Sequence, residues 1–173
     1  MSQVYFKPSV EFFDKANKIF EEQKLRISTL LPYANVEHIG STAIPNSVTK
    51  GDIDISIKVY KDHFIEAVKT LKTIYEVNQT ENWTGTFASF KDESSLGIDF
   101  GVQLVVKDSK SDDFTKLRDI LKENPDLVKE YNAMKLKHEG KDMGKYRKEK
   151  ADFFQKLREK YLATQLAKIP KKA

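Results

Sequence analysis

Asp52 and Asp54 flank Ile53 and are followed by Ile55 and Ile57, so two carboxylates alternate with three isoleucines. Residues two apart on a β-strand share a face, and the spacing predicts a strand that turns both carboxylates one way and the isoleucines into a core. Aspartate is depleted in strands, which makes the pair informative. Two carboxylates on one face form a hard-oxygen site for Mg²⁺, or for Mn²⁺ in its place. Magnesium takes one or two protein carboxylates and completes its octahedron with water and substrate phosphates. A second metal about 3.5–4 Å away can clamp an in-line phosphoryl displacement.

Upstream lies Gly40-Ser41-Thr42. Glycine permits positive φ and a close backbone approach to a ligand, and the two hydroxyls add donors for phosphate oxygens. A turn of this kind opening a short helix also presents unpaired N–H groups to an anion. Lys50 can offset phosphate charge, although a solvated lysine before a strand would look the same. Tyr131 and Lys135, like Tyr146 and Lys150, stand four apart and share a helix face. They are candidates for the wall opposite the carboxylates, and core-edge tyrosines with snorkelling lysines give the same spacing. Asp99 alternates with an apolar row and is a candidate third metal ligand or a base for an acceptor hydroxyl. His38 is a minor candidate for phosphate contact.

These residues need a scaffold. Helical spacing of Phe13, Ala16, Ile19, Phe20 and Ile27 predicts a helix over 9–31, followed by strands over 34–39 and 52–60. Pro45-Asn46-Ser47 is expected to begin a single helical turn. A helix over 62–73 should pack behind the sheet, and further strands are expected around 83–91 and 97–106. From Ser111 the chain reads as helical: Ser111 or Asp112 caps one helix, Pro125 begins a second, Gly140 ends it, and Asp142 caps a third reaching Leu162. Residues 169–173 read as a frayed tail.

The 173 residues suit one domain spanning 1–173, a sheet-bearing core over 1–106 with a helical part over 107–173 packed on it. Such a chain buries roughly two thirds of its unfolded surface. No apolar run approaches the ~18 residues of a membrane span, and charged residues interrupt the start, so a cytoplasmic location is expected. The absence of cysteine removes thiolate ligands and thiol nucleophiles. Residues 107–173 hold 19 Lys/Arg against 12 Asp/Glu, while residues 1–106 hold 11 against 14. A basic half thus faces the acidic motif and favours an anionic substrate. Trp83 and Phe87 with the basic half leave room for nucleic-acid binding. The three histidines lack His-Glu-x-x-His spacing, and no Gly-x-Ser-x-Gly elbow occurs, which excludes those hydrolase patterns.

His38-Ile39-Gly40-Ser41-Thr42-Ala43-Ile44-Pro45 resembles the signature of the GrpB family, predicted to share the nucleotidyltransferase fold of the DNA polymerase beta superfamily. Lys50 and Asp54 match a lysine followed four residues later by an aspartate. Gln103-Leu104-Val105-Val106 resembles a later strand, Arg118-Asp119-Ile120-Leu121 with Asn124-Pro125 resembles a helical segment, and Tyr131/Lys135 and Tyr146/Lys150 match two Tyr-x-x-x-Lys pairs. The chain departs from the pattern at Asn46-Ser47, usually Gly-Leu, and at Gly51, usually proline. It also departs at Asp52, apolar in many relatives, and in lacking a histidine in the later strand. The resemblance implies a mixed α/β (α+β) sheet flanked by helices. It also implies Mg²⁺-dependent transfer of a nucleotidyl group from an NTP to an unidentified hydroxyl acceptor. The alternative is a nucleotide- or partner-binding protein that keeps the fold without turnover.

Overall fold

The computed structural model describes residues 2–92 and 96–163, and the tail over 169–173 lies outside the described residues. Strand β1 (Lys7–Pro8) leads through a tight turn at Ser9–Phe12 into helix α1 (Phe13–Leu30). Then follow β2 (Asn35–Ile39), β3 (Val48–Thr49), β4 (Ile53–Val59), α2 (Phe64–Leu71), β5 (Glu76–Asn78), β6 (Phe87–Asp92) and β7 (Phe100–Val106). Three helices follow, α3 (Phe114–Glu123), α4 (Pro125–Leu136) and α5 (Met143–Leu157), and α5 runs on into a π-helical turn over Arg158–Leu162.

The main sheet has the order β2-β4-β7-β6-β5. Only β4 and β7 run parallel; the other neighbours are antiparallel. Ile53, Ile55, Ile57 and Val59 of β4 are buried on one face beside Val102 and Leu104 of β7, against Ala16, Ile19 and Ile27 of α1 and Phe64, Ala67 and Leu71 of α2. Burying each such aliphatic side chain stabilises by about 1.5–3 kcal/mol, so this face fixes the register and sends Asp54, Ser56 and Lys58 to the opposite one.

The opposite face meets the helical half. Arg118 of α3 donates from Nη1 to the His38 carbonyl at 2.9 Å and from Nη2 to Glu37 at 3.0 Å, tying α3 to β2. A second core gathers Leu117, Leu121, Leu127, Val128, Tyr131, Tyr146 and Leu157 with Val4, Phe6 and Ile44. Val4 donates its N–H to the Lys141 carbonyl and accepts from Gly140, so the N-terminal segment lies along the α4–α5 connection. Among the described residues no helix is long and apolar enough to cross a membrane.

Four local expectations differ. The helical turn after β2 forms at Ser41–Ala43, while Pro45 and Asn46 make a turn in which Asn46 takes φ +61°. The residue that precedes α3 is Asp113, without a side-chain cap bond. Asp112 is held elsewhere, 2.8 Å from Lys58 and accepting from the Asp108 N–H. The small β1–β3 ribbon and the three-residue β5 were not expected.

Candidate functional site

Gly40 ends β2 with φ +75°, a left-handed conformation that glycine adopts without a side-chain penalty. The same position forbids a side chain for a second reason: a Cβ there would stand 2.7 Å from Oδ2 of Asp54. Across the sheet, Gly101 of β7 pairs with Asp54, and a Cβ there would collide with its Oδ1. Asp54 thus lies in a cradle between two glycine backbones, on the face of the sheet opposite the isoleucine core.

Asp52 stands just before β4, half-buried, with Oδ2 3.2 Å from the Lys50 ammonium. Burial pushes the Asp52 carboxyl up, but the Lys50 and Lys150 cations with hydrogen bonding hold it below the ordinary carboxylate range. Asp54 moves the other way, raised by burial first and by the neighbouring Asp52 charge second. Two adjacent carboxylates pushed apart in this way mark a place where added positive charge is stabilising.

Ser41 begins the tight turn after Gly40, and Ser47 donates its hydroxyl to the Ser41 carbonyl at 2.6 Å. Lys135 of α4 is fully buried. Its Nζ lies 2.5 Å from both Ser41 Oγ and the Val48 carbonyl and 3.7 Å from the Tyr131 ring centroid. Burial, then the Lys150 and Lys50 charges, lower the Lys135 ammonium to about 6. Lys150 is raised above the ordinary lysine range by the Tyr131 phenol first, then Tyr146, Asp54 and Asp52, against the cost of burial.

A cavity of about 450 Å³ opens between the sheet and the helical half. Gly40, Asp54 and Gln103 form its sheet side, Arg118 and Tyr131 line it from α3 and α4, and Arg147, Lys150, Phe154 and Arg158 line it from the last helix. The sequence-derived residues Gly40, Asp54, Tyr131 and Lys150 therefore meet in one place, with Ser41 and Lys135 joined beside it and Lys50 on Asp52.

Three candidates are placed differently. Thr42 is buried and turned from the cavity: its hydroxyl donates to the Asp52 carbonyl at 3.2 Å and meets His38 Nε2 at 2.9 Å. Tyr146 is a core ring set edge-on to Phe6, and it does not line the cavity. Asp99 has the expected parity, because Ile53 pairs with Phe100 and Asp54 with Gly101. It stands exposed outside the strand, however, and its carbonyl accepts from the Ile53 N–H. No group of three histidine, aspartate or glutamate side chains among the described residues is arranged to hold a metal. The carboxylates brought closest together are therefore Asp52 and Asp54, with Asp99 outside the strand end. Two carboxylates still fit a magnesium ion, whose remaining positions belong to water and phosphate.

Arg147 and Arg158 were not anticipated, although Arg147, Lys150, Ala151, Phe154 and Arg158 form a stripe at helical spacing that the sequence carries, and Arg118 was read only as part of a helical segment. Gln103 was read only as part of a strand.

The GrpB protein family model matches residues 10–160. A UPF0157 protein of Vibrio cholerae is 34% identical over 152 residues, 88% of this chain and 80% of that protein. The GrpB crystal structure from Enterococcus faecalis superposes with a TM-score of 0.57 at 22% identity, covering 69% of this chain and 74% of that one. A Cid1 poly(U) polymerase with MgGTP bound superposes with a TM-score of 0.51 at 14% identity over 75% of this chain, and this chain spans 42% of it. The two structural likenesses concern the fold, which is nucleotidyltransferase-like. With the family model covering most of its length, the chain belongs to the GrpB family.

Proposed function

We propose that this protein transfers a nucleotidyl group from a nucleoside triphosphate to a hydroxyl acceptor, with magnesium as cofactor. The observation that carries this reading is the cradled Asp54 beside Asp52, facing a cavity that also holds Lys150 and three arginines. The Cid1 structure of the same fold is described with MgGTP bound, which supports a nucleotide as the ligand.

In this reading Asp52 and Asp54 hold the metal, which supplies positive charge to the triphosphate when bound. Gly40 and Ser41 receive the outer phosphates, with Lys135 fixing the Ser41 hydroxyl. Lys150 and Lys50 balance the charge that builds on the phosphates. Tyr131 forms the floor under Lys135, and Tyr146 supports Lys150 from the core. The acceptor oxygen forms its bond to the α-phosphorus, the α–β phosphoanhydride bond breaks, and pyrophosphate leaves. Asp99, next to Asp52 in register and exposed, receives the acceptor's proton.

The second reading is nucleotide binding without turnover, favoured by the lack of a grouped set of three metal-binding side chains among the described residues and by the Lys50 contact on Asp52. Pyrophosphate release separates the two. Each NTP is supplied with Mg²⁺ and a panel of nucleic-acid, protein and sugar hydroxyls. Turnover that is lost in Asp54→Asn supports transfer. Nucleotide binding without pyrophosphate from any acceptor supports the second reading.

A further inference from the structure

The loop from Gly40 to Pro45 has a cavity on each side. The second, of about 410 Å³, lies at the outer edge of β2 between α1 and α3, away from Asp54. We propose that this outer cleft binds a nucleoside phosphate as an effector, separate from the triphosphate of the first cavity. The ligand would lay its base on the exposed Phe13 ring, against the edge of Phe20, and its phosphate between Lys24 and Lys122.

The lining carries both halves of that ligand. Phe13 is 57% exposed at the mouth, and Phe20 stacks on His38 at 5.2 Å with an interplanar angle of 21°. Phe13 offers an exposed aromatic face of the kind that stacks on bases, and the partly buried Phe20 extends that apolar wall from the core. Lys24 holds its Nζ 5.6 Å from the Phe20 centroid, and Lys122 is exposed on α3. Among the described residues Lys122 forms no ion pair, whereas Glu37, the one acidic residue of the lining, is engaged by Arg118 at 3.0 Å. The cleft therefore holds uncompensated positive charge beside aromatic surface, and its field is felt at His38. Burial first, then Arg118 and Lys122, depress that imidazole to about 4.

The cleft is wired to the carboxylate site. His38 Nε2 meets the Thr42 hydroxyl at 2.9 Å, and that hydroxyl donates to the carbonyl of Asp52 at 3.2 Å. Arg118 lines both cavities. An occupant that shifts His38 or Arg118 would act directly on the backbone that carries Asp52, which gives the cleft the position of an effector site.

The test is fluorescence anisotropy in EDTA, so that metal-dependent binding in the first cavity is silent. The probes are a fluorescent AMP derivative and a labelled single-stranded hexaribonucleotide, with inorganic phosphate as competitor. The proteins are the wild type, Phe13→Ala, Lys122→Glu and Asp54→Asn. Both cleft variants alter exposed side chains and should fold normally. Binding that is weakened roughly tenfold or more by each cleft variant, and kept by Asp54→Asn, supports the cleft. Binding of AMP then identifies a free nucleotide as the source, and binding of the hexamer alone identifies a strand end. Three results would overturn the proposal: no binding of either probe, equal binding by both cleft variants, or loss in Asp54→Asn, which would assign the ligand to the first cavity. Competition by inorganic phosphate at the same concentration as AMP would also overturn it, since the rings would then contribute nothing. A failure here leaves nucleotidyl transfer untouched, because that reading stands or falls on the metal-dependent binding silenced by EDTA.

Discussion

Asp54 shows how much of this site depends on side chains that are absent. Gly101 has an ordinary strand conformation, so an alanine there suits the backbone, yet its Cβ would collide with Asp54 Oδ1. Gly101→Ala should cost roughly 1–3 kcal/mol through overpacking and displace the carboxylate. The expected outcome is a folded sheet by circular dichroism with at least a tenfold loss of Mg²⁺-dependent nucleotide affinity by calorimetry. Unchanged affinity would mean that the cradle has no part in binding. His38 gives a separate test in acid. Its imidazole takes a proton near 6.5 when unfolded but only near 4 when folded, so the unfolded chain binds more protons between those values. Stability is intact above about 6.5 and falls as the pH drops toward 4. The loss is at most roughly 3 kcal/mol and nearer 1 after solvent screening of a partly exposed ring. His38→Gln should flatten that part of the curve in denaturant titrations at pH 4.5, 5.5 and 7. A variant with the wild-type slope would remove His38 as the cause.

Among the elements, α5 combines support and chemistry. Asp142 accepts from the Lys145 N–H at 3.0 Å and so caps the helix that carries Tyr146, Arg147 and Lys150. Asp142→Ala should destabilise by about 1 kcal/mol. Because the helix start positions the cavity's cations, nucleotide binding should weaken beyond what the unfolded fraction explains. Equal affinity per folded molecule would show that the cap serves stability alone. The same helix shows what periodicity can reveal. Long apolar or alternating stretches, such as Ile53–Val59 and the α1 stripe, were legible because each repeats its signal several times. The β1–β3 ribbon and β5 have two or three residues each and no period to detect. Asp99 kept the expected parity but lies just outside β7, which begins at Phe100 and not at residue 97, since alternation sets a face but not where a strand begins. Thr42 belonged to the right motif, but its hydroxyl was already committed to the Asp52 carbonyl, a pairing that only three dimensions disclose.

At the scale of the whole molecule, the carboxylate-bearing face of the sheet and the basic helical half enclose the cavity at Asp54, in which their charges meet. The arrangement explains the uneven charge along the chain. Residues 1–106 supply the carboxylates and the Gly40–Ser41 turn, and residues 107–173 supply Arg118, Lys135, Arg147 and Lys150. It also makes the site sensitive to ionic strength: nucleotide affinity should fall as salt rises from 50 to 300 mM, as the attraction between phosphates and partly exposed cations is screened. Salt-independent affinity, measured by calorimetry across that range, would argue against charge as the source of binding. The central claim is that Asp52 and Asp54 hold a metal and, through it, a triphosphate. It is tested most directly by thermal unfolding of wild type and Asp54→Asn with each of the four NTPs, with and without Mg²⁺ or Mn²⁺. The expected result is a metal-dependent rise in the wild-type midpoint for at least one nucleotide and none in the variant, which without ligand should be as stable as the wild type. No shift with any nucleotide, or an equal shift in Asp54→Asn, would contradict it.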